Sequence, residues 1–331
     1  MKVSVVLTVY NATWCVERAL DSALSQTVPP DEILVCDDGS TDGTADLIEN
    51  TFGSRVTVLR LPHRNASATR SVGLARASGD WLAFMDADDT WYPMKLERQR
   101  DYIVAHPEVR HVSTDGVFVS PDGVIRESWL SDYFHPPREL QGDLLPMLIE
   151  RCFILMSSSL VERNTYHEVG GMDPDVVYSH DYDLWMRIAG RWPMAVINER
   201  LITYFTSPGA LSRRYEARHR DNLELMRRVE RGVYRPDPAL MKRGAERAAA
   251  LEYDLGLICL RTGRTVEGQA HLRRAAVAGP AARRVLATVG GHLPGWALPA
   301  LRRARWLRGA VQESREAAAT IDDDPAVRRA L

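Results

Sequence analysis

Short apolar runs alternate with amphipathic stretches through the first third of the chain. Val3–Val9 is dominated by β-branched residues and predicts a buried strand. Across 13–25, Trp14, Ala19, Leu20, Ala23 and Leu24 recur at helical spacing. Residues 33–36, 56–59 and 81–85 predict three further strands, and 41–50 and 68–77 two further helices. Strands alternating with helices imply an α/β fold with a mostly parallel sheet covered on both faces. Ligands of such sheets sit beyond the carboxyl ends of the strands. Two acidic clusters fall there: Asp37-Asp38 after the second strand and Asp86-Ala87-Asp88-Asp89 after the fourth. Neighbouring carboxylates repel one another, so a positive group is expected among them.

Residues 108–212 are mixed. A hairpin is predicted from 109–119 and 124–129 around Pro121-Asp122-Gly123. Helices near 140–150 and 181–190 follow, then strands over 194–198 and 201–206. From 213 onward the chain is rich in Arg and Ala and reads helical. Residues 245–278 predict one antiparallel helix pair turning near Thr262-Gly263-Arg264, similar to a single tetratricopeptide-like unit. The expected division is 1–212, whose pattern changes after 107, followed by a basic helical region, 213–331. The tail at Asp322-Asp323-Asp324-Pro325 is expected to fray.

Composition sharpens this division. The 331 residues carry a net charge of -2, which gives no global signal for nucleic acid. Yet 213–331 holds 24 Lys+Arg against 14 Asp+Glu, and 1–212 holds 18 against 30. Cys15, Cys36, Cys152 and Cys259 are widely spaced and suggest reduced thiols in a cytoplasmic setting. No run reaches the ~18 apolar residues of a membrane span. Trp296, Leu301, Ala304, Leu307 and Val311 lie near one face of a predicted basic helix, 294–311, with Arg302, Arg303, Arg305 and Arg308 around it. Packing on its own domain is the favoured reading, and peripheral contact with the inner membrane face is the alternative. The pair at 245–278 offers a docking or homodimer surface.

A divalent cation that neutralises a diphosphate takes carboxylate oxygens. Asp86-Ala87-Asp88 beyond a strand fits that use; the competing reading is an acidic turn capping a helix over 91–105 through Asp89 or Thr90. Asp37-Asp38-Gly39-Ser40-Thr41-Asp42-Gly43 sits at a strand–helix turn, where a carboxylate can accept from a base or ribose. Asp181 and Asp183 could cap the helix from 182, and Ser157, Ser158 and Ser159 could bind sugar hydroxyls or be buried in a strand.

Taken together, Val9-Tyr10-Asn11, Asp37-Asp38-Gly39-Ser40-Thr41-Asp42-Gly43, Arg70 with Gly73, Gly79-Asp80-Trp81 and Phe84-Met85-Asp86-Ala87-Asp88-Asp89 stand in the order and spacing of the family 2 glycosyltransferases. Gly170-Gly171-Met172-Asp173 and Asp181-Tyr182-Asp183-Leu184-Trp185 resemble that family's later motifs. The resemblance covers about 3–212. It implies a GT-A fold and an inverting transfer from a nucleotide-diphosphate sugar, UDP first, to a sugar or lipid-linked acceptor. It also implies Mn²⁺ or Mg²⁺ on Asp88. By position, Thr8, Tyr10, Asp37 and Asp38 would hold base and ribose, and Arg70 would approach the base or diphosphate. Asp86 and Ala87 would lie on the donor, and Asp181 would be the general base. Ser157, Ser158, His180 and Trp185 would face the acceptor.

The chain departs from the family pattern at several places. His180 replaces the usual Glu before the base, Asn65 stands for a Gly that would need a left-handed backbone, and Ser71 stands for an Asn. Phe205 and Ser207 replace an Arg and a His. The changes at His180, Ser71 and Ser207 motivate the alternative of a catalytically silent nucleotide-sugar-binding or scaffolding relative acting through the helical tail. A dehydrogenase would want G-x-G-x-x-G after the first strand, which is lacking here.

Overall fold

A computed structural model describes residues 1–120, 123–206 and 214–277, with 287–288 and 291. The expected helix over 294–311, Ser207, Pro121-Asp122 and the tail near Asp322 lie outside the described residues. The chain divides into two compact units, Met1–Arg213 and Arg214–Leu331.

In the first unit, β1 (Val3–Val9), β2 (Glu32–Asp37), β3 (Thr57–Arg60) and β4 (Trp81–Asp86) form a parallel block in the order β3-β2-β1-β4. Helices α1 (Val16–Leu24), α2 (Thr44–Phe52) and α3 (Ala66–Arg76) make the crossovers. Every residue of β1 is buried, as a central strand covered on both faces requires. Val5, Leu7, Val35, Ala83 and Met85 share a core with Ala19, Leu20 and Ile48 of the helices. On α3, a Cβ at Gly73 would lie 2.3 Å from Cys36 Sγ and 2.7 Å from Val6 Cγ1. Only glycine lets this helix settle so closely on the sheet.

The sheet continues past β4 through β9 (Leu160–Glu162), β6 (His111–Ser120), β10 (Met194–Phe205) and β5 (Thr90–Trp91). Strands β7 (Gly123–Arg126) and β8 (Leu140–Gly142) pair with β6 and β10. Here β6 and β10 are parallel and the other pairings antiparallel. The expectation of a mostly parallel sheet therefore holds for the block through β4, and the whole sheet is mixed. The remaining helices of this unit are α4 (Lys95–Ala105), α5 (Leu145–Glu150), α6 (Arg163–Glu168) and α7 (His180–Ala189).

Three local expectations are corrected. The helix predicted from 91 begins at Lys95, without a side-chain cap. Pro93 disfavours helix at Tyr92, and Thr90-Trp91 instead pairs with Thr203 and Ile202. The two strands expected over 194–206 are one strand, with register shifts around Arg200. Asn65 is extended, at φ -170°, and caps α3 by accepting from the Ala68 N–H at 2.9 Å, so no glycine is needed there.

The second unit contains α8 (Tyr215–Glu230), α9 (Pro238–Arg261) and α10 (Thr265–Ala275). Asp237 caps α9, and the α9–α10 pair turns at Thr262–Arg264 with Gly263 at φ +83°. Buried Glu252 accepts from Arg227 at 2.5 Å and Arg274 at 2.8 Å and pairs with His271 at 2.5 Å. Cys259, Glu267 and His271 gather ligand-type atoms, but Arg220 already compensates them at 2.5 Å from Glu267 and 4.0 Å from Cys259 Sγ. Among the described residues no helix is long and apolar enough to cross a membrane.

Candidate active site

Parallel register aligns the functional strand ends. Thr8 is level with Asp86 on one side, and Val9 with Asp37 on the other. The turns beyond β1 and β2 are stitched together: the Asn11 N–H donates to Ser40 Oγ at 2.9 Å, and the Thr41 N–H to Asn11 Oδ1 at 2.9 Å. Asn11 takes φ 49°, a conformation asparagine tolerates better than most residues.

This loop pair presents an aromatic wall. Tyr10 is 49% exposed and stacks on His63, with centroids 4.4 Å apart and an interplanar angle of 20°. His63 packs over Gly39, where a Cβ would come within 2.9 Å of His63 N. Its Nδ1 lies 3.0 Å from Asp38 Oδ2. Asp38 also accepts from the Arg64 N–H at 2.9 Å and from Thr69 Oγ1, so its carboxylate chiefly holds the loop. Asp37 accepts from the Ser40 N–H at 3.3 Å. His63 was missed by sequence reasoning; it lies in a loop without periodicity, and only its contacts reveal it.

Arg70 corrects an expectation. Its side chain is not offered to a ligand: the residue is 1% exposed. Nη2 donates to Thr8 Oγ1 at 2.8 Å and to Asp86 Oδ1, and Nη1 lies 3.1 Å from His180 Nε2. Arg70 is the positive group expected among the acids. It joins the ends of β1 and β4 to the first turn of α7, which carries Asp181.

The acidic turn is held from several sides. The Asp86 N–H donates to Ser157 Oγ at 3.0 Å, while the Asp86 side chain remains 34% exposed. Arg18 Nη2 donates to the Asp88 carbonyl at 3.1 Å. Asp89 caps no helix; it is buried and accepts from the Phe205 N–H at 3.0 Å, tying the turn to the end of β10. Burial pushes the Asp89 carboxyl well up, and the charges of Asp88 and Asp86 push it further. Hydrogen bonds from the Ser157 side chain and the Phe205 N–H counter part of that rise. An all-oxygen donor set with surplus negative charge suits a hard divalent cation, so the residues present fit Mg²⁺ or Mn²⁺ at half-buried Asp88.

The remaining acceptor-side expectations divide. Asp181, half-buried, accepts from the Tyr182 N–H at 2.8 Å. Asp183 does not cap the helix either: it is buried and bound to Arg187 at 2.7 Å. Trp185 is 0% exposed and packs edge-on to Phe84 at 5.7 Å, so it belongs to the core and not to an acceptor surface. Ser157 and Ser158 are also buried. Ser157 is spent on Asp86 and, through its carbonyl, on Trp91 Nε1, and Ser158 donates to the Leu155 carbonyl. Ser157 thereby props the acidic turn.

Residues 4–163 match Glycosyl transferase family 2. An uncharacterized glycosyltransferase of Rickettsia typhi is 30% identical over 196 residues, covering 56% of this chain and 58% of that relative. A UDP-Glc:alpha-D-GlcNAc-diphosphoundecaprenol beta-1,3-glucosyltransferase of Escherichia coli is 29% identical over 204 residues, covering 61% and 76%. Among solved structures, residues 1–349 of TarS from S. aureus share the fold with a TM-score of 0.65 at 17% identity, covering 88% of this chain and 87% of that one. A mannosyltransferase from Pyrobaculum calidifontis, in complex with GDP-Man and Mn²⁺, gives 0.58 at 19%, covering 96% and 85%. On a sheet of the GT-A type, with acids at its strand ends, the segment 4–163 thus carries the match to Glycosyl transferase family 2.

Proposed function

We propose that this chain transfers a glycosyl group from a nucleoside-diphosphate sugar, UDP-linked first, to a hydroxyl of a glycan or lipid-linked acceptor, with inversion. One observation carries the reading: Arg70 ties the donor-side ends of β1 and β4 to the helix turn bearing Asp181. Donor acids and a candidate base, far apart in sequence, are thereby linked through one arginine. TarS 1–349 has been solved with UDP-GlcNAc and the Pyrobaculum calidifontis mannosyltransferase with GDP-Man, and the Escherichia coli protein's name specifies UDP-Glc.

In this mechanism Tyr10 and His63 receive the base, and Asp37 and Asp86 the ribose region. Asp88 would hold Mg²⁺ or Mn²⁺, which supplies charge stabilisation to the departing diphosphate. Asp181 takes the proton from the acceptor hydroxyl as its oxygen attacks the anomeric carbon opposite the leaving group. A single displacement inverts the anomeric centre and needs no covalent enzyme intermediate. Asp181 lies beyond the matched segment, so its role rests on this geometry and on the Asp181-Tyr182-Asp183-Leu184-Trp185 motif.

Asp181→Asn is expected to keep UDP affinity and to lower turnover of a UDP-sugar by several orders of magnitude. Near-parental turnover in that variant would remove Asp181 as the base. Proton NMR of the first-formed product reads the anomeric outcome; retention would overturn the single-displacement mechanism.

A further inference from the structure

The geometry points to His180, as a neutral imidazole, being the positioning residue that locks the base-bearing turn of α7 to the donor site through Arg70. The inference rests on the transfer reading for its consequence, but its core is a hydrogen-bond assignment that stands apart from activity.

His180 Nδ1 lies 2.9 Å from the Val177 carbonyl, which can only accept. Nδ1 therefore carries a proton. Nε2 lies 3.1 Å from Arg70 Nη1, which can only donate, so Nε2 is an acceptor without a proton. The two contacts together define the neutral Nδ1–H tautomer. The residue is buried, so water does not replace either partner.

Arg70 has little slack. It is almost fully buried, and its Nε already lacks a partner among the described residues. Among the described residues its charged partner is Asp86, and it also contacts Thr8 and His180. The turn itself has no side-chain cap: Ser179 precedes α7 without one. The imidazole bridge from Val177 through His180 to Arg70 ties this turn to the donor-side strand ends, and Asp181 is the next residue.

The test uses the full chain with three readouts. Nitrogen-15 NMR of histidine-labelled protein at neutral pH is expected to show His180 protonated at Nδ1 and bare at Nε2, with the Nε2 signal moving in Arg70→Lys. A His180 signal of the Nε2–H form, or of imidazolium, would overturn the bridge whether or not the chain transfers sugar. His180→Leu is expected to keep UDP affinity, measured with Mn²⁺, while UDP release from saturating UDP-glucose, with water taking the glucosyl group, falls about 10²-fold through misplacement of the base. His180→Gln, which keeps an acceptor for Arg70, is expected to recover most of that loss. Equal turnover in His180→Leu and the parent would contradict the positioning role. A parent that binds UDP yet never releases it from any UDP-sugar would instead count against the transfer reading, leaving the tautomer result to decide the bridge.

Discussion

Single buried groups already carry measurable consequences. His111 is enclosed, with Nε2 3.1 Å from Ser159 Oγ and its ring 4.6 Å from that of Trp185. Burial, reinforced by the positive charge of Lys95, lowers its pKa from 6.5 to about 3. The unfolded chain therefore binds this proton first as pH falls. Stability is fully present above pH ~6.5 and is lost as pH drops toward 3, by about 2 kcal/mol at pH 5. His111→Gln is expected to flatten that part of the dependence, read by urea unfolding at pH 7 and pH 5. The same loss in parent and variant would contradict it. Other residues had roles that sequence reading could not assign. Arg70 was legible as important but not as buried, because its partners Thr8 and His180 stand 62 and 110 residues away. Trp185 suggested a ligand surface, and burial against Phe84 gives it to the core.

At the scale of elements, the block from β1 to β4 was readable because its signals are local: β-branched runs end in acids and alternate with helical periods. The stretch after β4 was not. Thr90-Trp91 joins β10 through contacts more than a hundred residues distant, and Pro93 delays α4 in a way periodicity does not show. The seat of α3 on the sheet is a further element-level device, since Arg70 reaches the strand ends only if Gly73 lets the helix approach. Gly73→Ala is expected to destabilise the fold by about 1–3 kcal/mol through overpacking against Cys36 and Val6. UDP affinity should fall with it as Arg70 is displaced. Calorimetric melting and nucleotide titration read both; an unchanged melting temperature would mean the helix has room that the geometry denies.

Across the whole molecule, every residue assigned to donor, metal or base falls within Met1–Arg213, the acidic part of the sequence. The second unit holds its own buried ion-pair network around Glu252 and contributes none of these groups. The central claim is therefore the proposal that the strand ends of the first unit bind a nucleoside diphosphate through a metal at Asp88. Calorimetric titration of the full chain with UDP, in Mn²⁺ and again in EDTA, tests this most directly, with Asp88→Ala run alongside. The account predicts binding with Mn²⁺ that disappears with EDTA and in Asp88→Ala. Binding of equal strength under all three conditions would contradict the metal assignment, and no binding of UDP or GDP under any of them would contradict the donor site itself.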